Sequence, residues 1–274
     1  MKPFILRGAG GIGLHAIECG PRSARPILFV HGFARSVAAW RAQFASDLAD
    51  EFRLIAFDLR GHGASEKPED AGAYSTAQFW AEDLAAVIAA CELERPVVVA
   101  WSYAGTVVAD YLRAFGEKRL GAINFVAAVT ELTKASRSIV GPEFAALFPA
   151  VLDEDPKVAR PVTQRMIDLC TATPLGEQSS RDFEEAMLVP PSVRRAMQRR
   201  TAENDDVLSQ LALPVLATHG ALDDMVLPVA SEHIARVVPN ARLSLYPGVG
   251  HMPFLEDPQR FNQELRDLAS YNLH

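Results

Sequence analysis

Ser102 sits in the stretch Val-Val-Val-Ala-Trp-Ser-Tyr-Ala-Gly, residues 97–105. The three valines predict a buried strand, and the apolar positions from Thr106 to Phe115 fit a helix. Strand, sharp turn and helix with a hydroxyl at the apex is a setting in which a strained turn pushes a serine beyond a sheet edge as a nucleophile. Such a hydroxyl is a poor nucleophile at neutral pH and needs a base beside it. Among seven histidines, His251 lies on a loop, preceded by Gly250 and followed by a helix start, where an imidazole can reach across a sheet edge. The acid that would orient it has three candidates. Asp223 and Asp224 share the turn after a strand that begins at Pro214, and Glu131 follows the preceding strand. Ala100 and Ala104, two residues before and after the serine, are small, as a tight turn demands.

The surrounding elements follow from hydrophobic periodicity. Residues 8–13 match G-x-G-x-x-G, but that pattern signals a dinucleotide only where a helix follows it. Here a short apolar run and then Gly20-Pro21 follow, so the glycines read as a turn between antiparallel strands at 4–6 and 14–19. An apolar strand from Pro26 runs into His31-Gly32-Phe33, with His31 bracing the loop. An amphipathic helix is expected over 36–48, a strand over 52–57, and then a helix opened by a Ser75/Gln78 capping box, with Trp80, Leu84, Val87, Ile88 and Cys91 on one face. Residues 120–129 form another apolar strand, and this alternation implies a mostly parallel sheet.

From Glu131 to Leu211 the strand pattern disappears. Pro142, Pro149, Pro156, Pro161, Pro174, Pro190 and Pro191 break this region into short helical patterns carrying Phe144, Leu147, Phe148, Met166, Leu169, Met187 and Met197. The sheet resumes at Pro214 and again over 242–246. Asp257-Pro258 then caps a last helix whose Phe261, Leu265 and Leu268 share a face.

Composition narrows the function classes. With 49% hydrophobic and 22% charged residues in 274, the chain is a folded globular protein with a substantial core. A net charge of -7 argues against nucleic acid as a partner. The basic group Arg194, Arg195, Arg199 and Arg200 reads as a solvated helix face. Cys19, Cys91 and Cys170 show neither disulfide nor zinc-ligand spacing. No segment approaches the roughly 20 apolar residues of a membrane span, and residues 1–20 lack a signal-peptide core. A cytoplasmic protein is expected, without membrane contact.

Three stretches resemble the α/β-hydrolase family: the His31-Gly32-Phe33 loop, Asp58-Leu-Arg60-Gly61-His62-Gly63-Ala-Ser65, and Gly250-His251-Met-Pro-Phe-Leu-Glu-Asp-Pro258. The chain order Ser102, acid, His251, each after a strand, is also the family's order. The likeness covers almost the whole chain and departs at the elbow, where alanines replace the glycines of G-x-S-x-G and Gly105 stands one residue later. It implies an α/β fold with a mostly parallel eight-stranded sheet and helices on both faces. The core would comprise residues 1–130 and 212–274, with a helical cap over 131–211. Asp223, three residues after Gly220, becomes the implied acid, with Asp224 its near alternative. The backbone amides of Phe33 and Tyr103 become the oxyanion hole, and His62 a structural residue.

The implied reaction is hydrolysis of a small to medium carboxylic ester with an apolar part through an acyl-enzyme. Trp101, Phe144, Phe148, Met187, Val226 and Met252 are the candidate pocket residues. No metal or organic cofactor is expected, and the oligomeric state stays open. Ser102 argues against the relatives that open epoxides or carbon-halogen bonds with an aspartate. A carbon-carbon bond hydrolase, a cofactor-free perhydrolase and, from another class, a small-molecule receptor share the same residues.

Overall fold

The computed structural model describes residues 2–173 and 175–270. Eight strands form one sheet: β1 (Lys2–Arg7), β2 (Gly13–Cys19), β3 (Pro26–Val30), β4 (Arg53–Phe57), β5 (Val97–Trp101), β6 (Ala122–Val126), β7 (Val215–Gly220) and β8 (Ala241–Tyr246). Their order is β1-β2-β4-β3-β5-β6-β7-β8. The first two strands form the expected antiparallel hairpin, and β2 pairs antiparallel with β4. All remaining pairs are parallel. Strands β3 to β7 are buried along their whole length, which is why they are mainly apolar; the buried polar residues Asn124 and Thr218 in β6 and β7 bond to each other. At the sheet edge, β8 alternates in its inner half, as a strand with one wet face does.

Strand order places the site. From β3 the chain crosses to β4 on one side, while β5 continues to β6 on the other. Neighbouring strands whose connections depart in opposite directions leave a crevice at their carboxyl ends. Val30, the last residue of β3, pairs with Ala100 of β5, so the loops carrying Gly32 and Ser102 border that crevice.

Several local expectations fail for identifiable reasons. The helix expected over 36–48 is broken into a 3-10 turn at Val37–Trp40 and short helices at Arg41–Phe44 and Leu48–Glu51. The Ser46 hydroxyl donates to the Gln43 carbonyl and accepts the Leu48 amide, offering the backbone a local alternative to the helix. The capping box does not form. A short helix already occupies Gly72–Ser75, the helix Ala77–Ala90 starts after Thr76, and Gln78 donates to Glu82 instead. The Thr76 hydroxyl is committed backwards to the Gly72 carbonyl.

Between β6 and β7 lie the helices Pro142–Val151, Pro156–Asp168, Glu177–Met187, Pro191–Gln198 and Asp205–Leu208. Pro142, Pro156 and Pro191 start helices, where a missing amide costs nothing. Pro149 and Pro161 do not break their helices. Both are exposed, so water can satisfy the carbonyls they orphan. Pro174 lies outside the described residues. The basic group is only partly a solvated face: Arg199 is exposed and Arg195 half-buried, but Arg194 and Arg200 are only 1% and 5% exposed. The Arg194 guanidinium donates to the Val151 carbonyl at 2.7 Å, and Arg200 is paired with buried Asp110. Helical spacing showed that these arginines share a segment, but not what that segment packs against.

Candidate active site

Ser102 has a left-handed backbone, φ +56°, a conformation that costs a non-glycine residue roughly 1–2 kcal/mol. Three backbone hydrogen bonds hold it there. Its amide donates to the Val126 carbonyl at 2.9 Å, and its carbonyl accepts the amides of Gly105 at 3.0 Å and Val129 at 2.9 Å. The turn is thus clamped to the end of β6, and the helix Ala104–Phe115 begins directly after it. Ala100 and Ala104 are fully buried and accommodate their methyl groups. The position that demands glycine is Gly105, where a Cβ would lie 2.5 Å from the Val129 carbonyl oxygen. Across the crevice, a Cβ on Gly32 would lie 2.9 Å from the Ser102 Cβ, so the loop after β3 lies directly against the elbow.

That loop presents donors. The amides of Phe33 and Tyr103 find no acceptor among the described residues, and both residues line the same cavity as Ser102. The Asp58–Ser65 turn fixes the loop from below. His31 Nδ1 lies 2.8 Å from the Gly32 carbonyl, and His31 Nε2 accepts the Leu59 amide. His62 Nε2 accepts the Ala34 amide at 3.3 Å. Burial pushes the His62 imidazole down to about 3, so the ring is neutral and can accept. Asp58 receives the Val37 and Ala64 amides and the His15 ring. Both His31 and His62 brace the loop, in keeping with their structural assignment.

Asp223 and His251 meet on the other side. His251 Nδ1 lies 2.7 Å from Asp223 Oδ2. Asp223 Oδ1 accepts the Met225 amide at 2.9 Å and the Val226 amide at 3.0 Å, and His219 Nε2 stands 3.0 Å from Oδ2. Burial alone would raise this carboxyl. The neighbouring His251 and the bonds from His219 and His251 instead hold it well below the usual carboxylate range. Asp224 points to solvent. Glu131 belongs with Asp205 and His233, their ligand atoms all within 4.8 Å of one another, and makes no bond to His251.

The His251 loop is stapled by two features. Trp101 Nε1 donates to the His251 carbonyl at 3.0 Å, and Glu256 accepts the Gly250 and Ala172 amides. As expected, Asp257 caps the last helix, accepting the Arg260 amide.

Ser102 and His251 open into one cavity of about 720 Å³. Trp101, Phe144, Phe148 and Val226 line it, and the Phe148 ring packs 5.5 Å from Phe33 and 5.1 Å from Phe144. Met187 and Met252 do not line it. Met252 is fully buried and Met187 packs against the core; no residue of the helix Glu177–Met187 borders the cavity.

Sequence reasoning missed Arg35, Cys170, His219 and Arg200. Arg35 donates to the Cys170 sulfur at 3.0 Å and pairs with Asp182 at 3.2 Å. Arg200 donates to the Tyr103 hydroxyl at 2.9 Å, tying the helical segment to the residue after the nucleophile. Only His219 carried a local signal, a second His-Gly at a strand end. An ionised acid on an imidazole that shares a cavity with a strained serine is equipped to move a proton off that hydroxyl.

Strand order, elbow and crevice define an α/β hydrolase, and the family model described as alpha/beta hydrolase fold matches residues 25–258. The chain belongs to that family. It is similar to an esterase from Rhodococcus sp. ECU1013, with 34% identity, 98% of this chain and 99% of that chain covered, and a TM-score of 0.94. A putative aryl esterase from Burkholderia cenocepacia shares 33% identity over 98% of each chain, with a TM-score of 0.92. A bifunctional esterase/perhydrolase from Acinetobacter calcoaceticus is 26% identical, covering 93% of this chain and 95% of that protein.

Proposed function

We propose that this protein is a serine hydrolase that cleaves a small to medium carboxylic ester with an apolar part through an acyl-enzyme. The observation that carries this reading is the juxtaposition of strained Ser102 with His251, itself bonded to the ionised Asp223, around one largely apolar cavity. His251 takes the Ser102 proton as the hydroxyl attacks the ester carbonyl. Asp223 holds the ring tautomer and stabilises its charged form. The Phe33 and Tyr103 amides meet the developing oxyanion, each such donor being worth about 3 kcal/mol of barrier. His251 then gives its proton to the leaving alcohol, and a water activated by the same ring releases the acid.

Residues 131–211 act as a cap that shapes the acyl pocket through Phe144 and Phe148. The three free cysteines support work in a reducing compartment, the cytoplasm. No helix among the described residues is long and apolar enough to cross a membrane.

Ser102→Ala tests the reading. Turnover of p-nitrophenyl esters is expected to fall at least about a thousandfold with the fold retained, and a fluorophosphonate is expected to label Ser102 alone. Activity above that level refutes it.

A second reading, supported by the esterase/perhydrolase relative, is that hydrogen peroxide intercepts the same acyl-enzyme. Peracid formation that competes with hydrolysis in an ester assay supplied with peroxide identifies it. Rapid diketone cleavage with negligible ester turnover would favour a carbon-carbon hydrolase, and saturable ligand binding without turnover a receptor.

A further inference from the structure

His219, near the end of β7, is fully buried. Its Nε2 lies 2.8 Å from the Val226 carbonyl and 3.0 Å from Asp223 Oδ2. Both partners are acceptors, so this nitrogen carries the proton. Its Nδ1 lies 2.7 Å from Ser231 Oγ and accepts the hydroxyl proton, which fixes the tautomer from the other end. Asp223 Oδ1 is filled by two backbone amides. Oδ2 is therefore shared between two imidazoles, His219 and His251. The one Nε2 hydrogen divides between the nearer Val226 carbonyl and Oδ2, and an oxygen that already faces one donor offers less negative charge to a second.

We propose that His219 is a positioning residue that sets the basicity of His251 by sharing Asp223 Oδ2, pinning the acid in place while limiting how strongly it stabilises the protonated His251 ring. This inference rests on the serine-hydrolase reading. Its functional sense is that a general base works best when its proton affinity lies near the working pH.

The remaining titratable groups around the acid are the Cys170 thiol, which accepts from Arg35, and the Glu256 carboxyl. Burial, with the Asp223 charge adding to it, raises both. Neither donates to Asp223 among the described residues, and both persist in every variant below, so a comparison between variants isolates His219.

The experiment measures fluorophosphonate inactivation of Ser102 against pH, with kcat/KM for p-nitrophenyl acetate alongside. The acid limb of each profile reports the His251 titration. In His219→Leu the limb is expected to move upward by up to about 1 pH unit, the worth of one lost hydrogen bond to a charged group being the ceiling because only its difference between the two His251 protonation states counts. In His219→Gln, whose side-chain amide retains a donor, it is expected to return toward the wild-type position. Ser231→Ala touches neither Asp223 nor His251, and is expected to shift the limb upward by a smaller amount because His219 becomes a weaker donor.

A purely packing role for His219 would lower the folded fraction and leave the limb in place. An unmoved or downward-shifted limb in His219→Leu overturns the inference. If that variant does not fold, the Ser231→Ala limb decides alone by the same criterion. Wild-type protein whose Ser102 is not labelled at all overturns the hydrolase reading, whereas labelling with an unmoved limb overturns only the role of His219.

Discussion

Replacing Asp223 with asparagine changes one oxygen to an amide nitrogen, and the surrounding bonds dictate which one. The Met225 and Val226 amides are donors, so the asparagine carbonyl must stay at the Oδ1 position. Its NH2 group then takes the place of Oδ2 and confronts His251 Nδ1 and His219 Nε2. To avoid two opposed donors, His251 must turn Nδ1 into an acceptor, which puts its proton on Nε2 and leaves no base for Ser102. A wrong tautomer at this position in a serine triad costs about 10⁴-fold in kcat, roughly 5 kcal/mol of barrier. Asp224→Asn changes an exposed side chain and is expected to leave kcat within about twofold, as surface substitutions do. Steady-state kinetics on p-nitrophenyl acetate, with circular dichroism to verify the fold, measure both. A loss below about tenfold for Asp223→Asn, or a larger loss for Asp224→Asn, refutes the argument.

Asp223→Asn also carries a stability signature. The folded carboxyl sits below its ordinary value, so its ionisation stabilises the fold at pH values above the unfolded value of about 3.9. That contribution starts to decline as pH falls below the unfolded value and is gone once pH has fallen through the depressed folded value. The unfolding free-energy gap between wild type and Asp223→Asn is therefore expected to narrow below about pH 4, and urea titrations showing the same gap at pH 7 and pH 3 would contradict it. Gly105→Ala drives a Cβ to 2.5 Å from the Val129 oxygen; overpacking of about 1–3 kcal/mol, read by urea denaturation, should come with slower labelling of Ser102. Ala100→Val, between Val30 and Phe125 on the neighbouring strands, should do the same. Arg200→Met leaves the buried Asp110 unpaired and is expected to cost about 3–5 kcal/mol, with part recovered when Asp110→Asn is added, again by urea denaturation.

Much of this protein was written in local sequence. Strands β3 to β7 are buried along their length, so they are mainly apolar, and Ser102, Asp223 and His251 could be picked out as residues on turns that follow strands. Residue types and chain order sufficed there because a sheet edge gathers the ends of its parallel strands without further instruction.

Tertiary structure alone decided the rest. Only the fold pairs His251 with Asp223 rather than Asp224, since adjacent turn residues differ in direction and not in sequence context. Only the fold buries Arg200 against Tyr103 and Asp110, turns Met187 and Met252 away from the cavity, and moves the demand for glycine from position 104 to Gly105, where the Val129 carbonyl approaches. It also brings His219 onto the acid. Those properties depend on what a side chain meets across the fold, and contacts between residues far apart in the chain leave no period or motif in the segment that makes them.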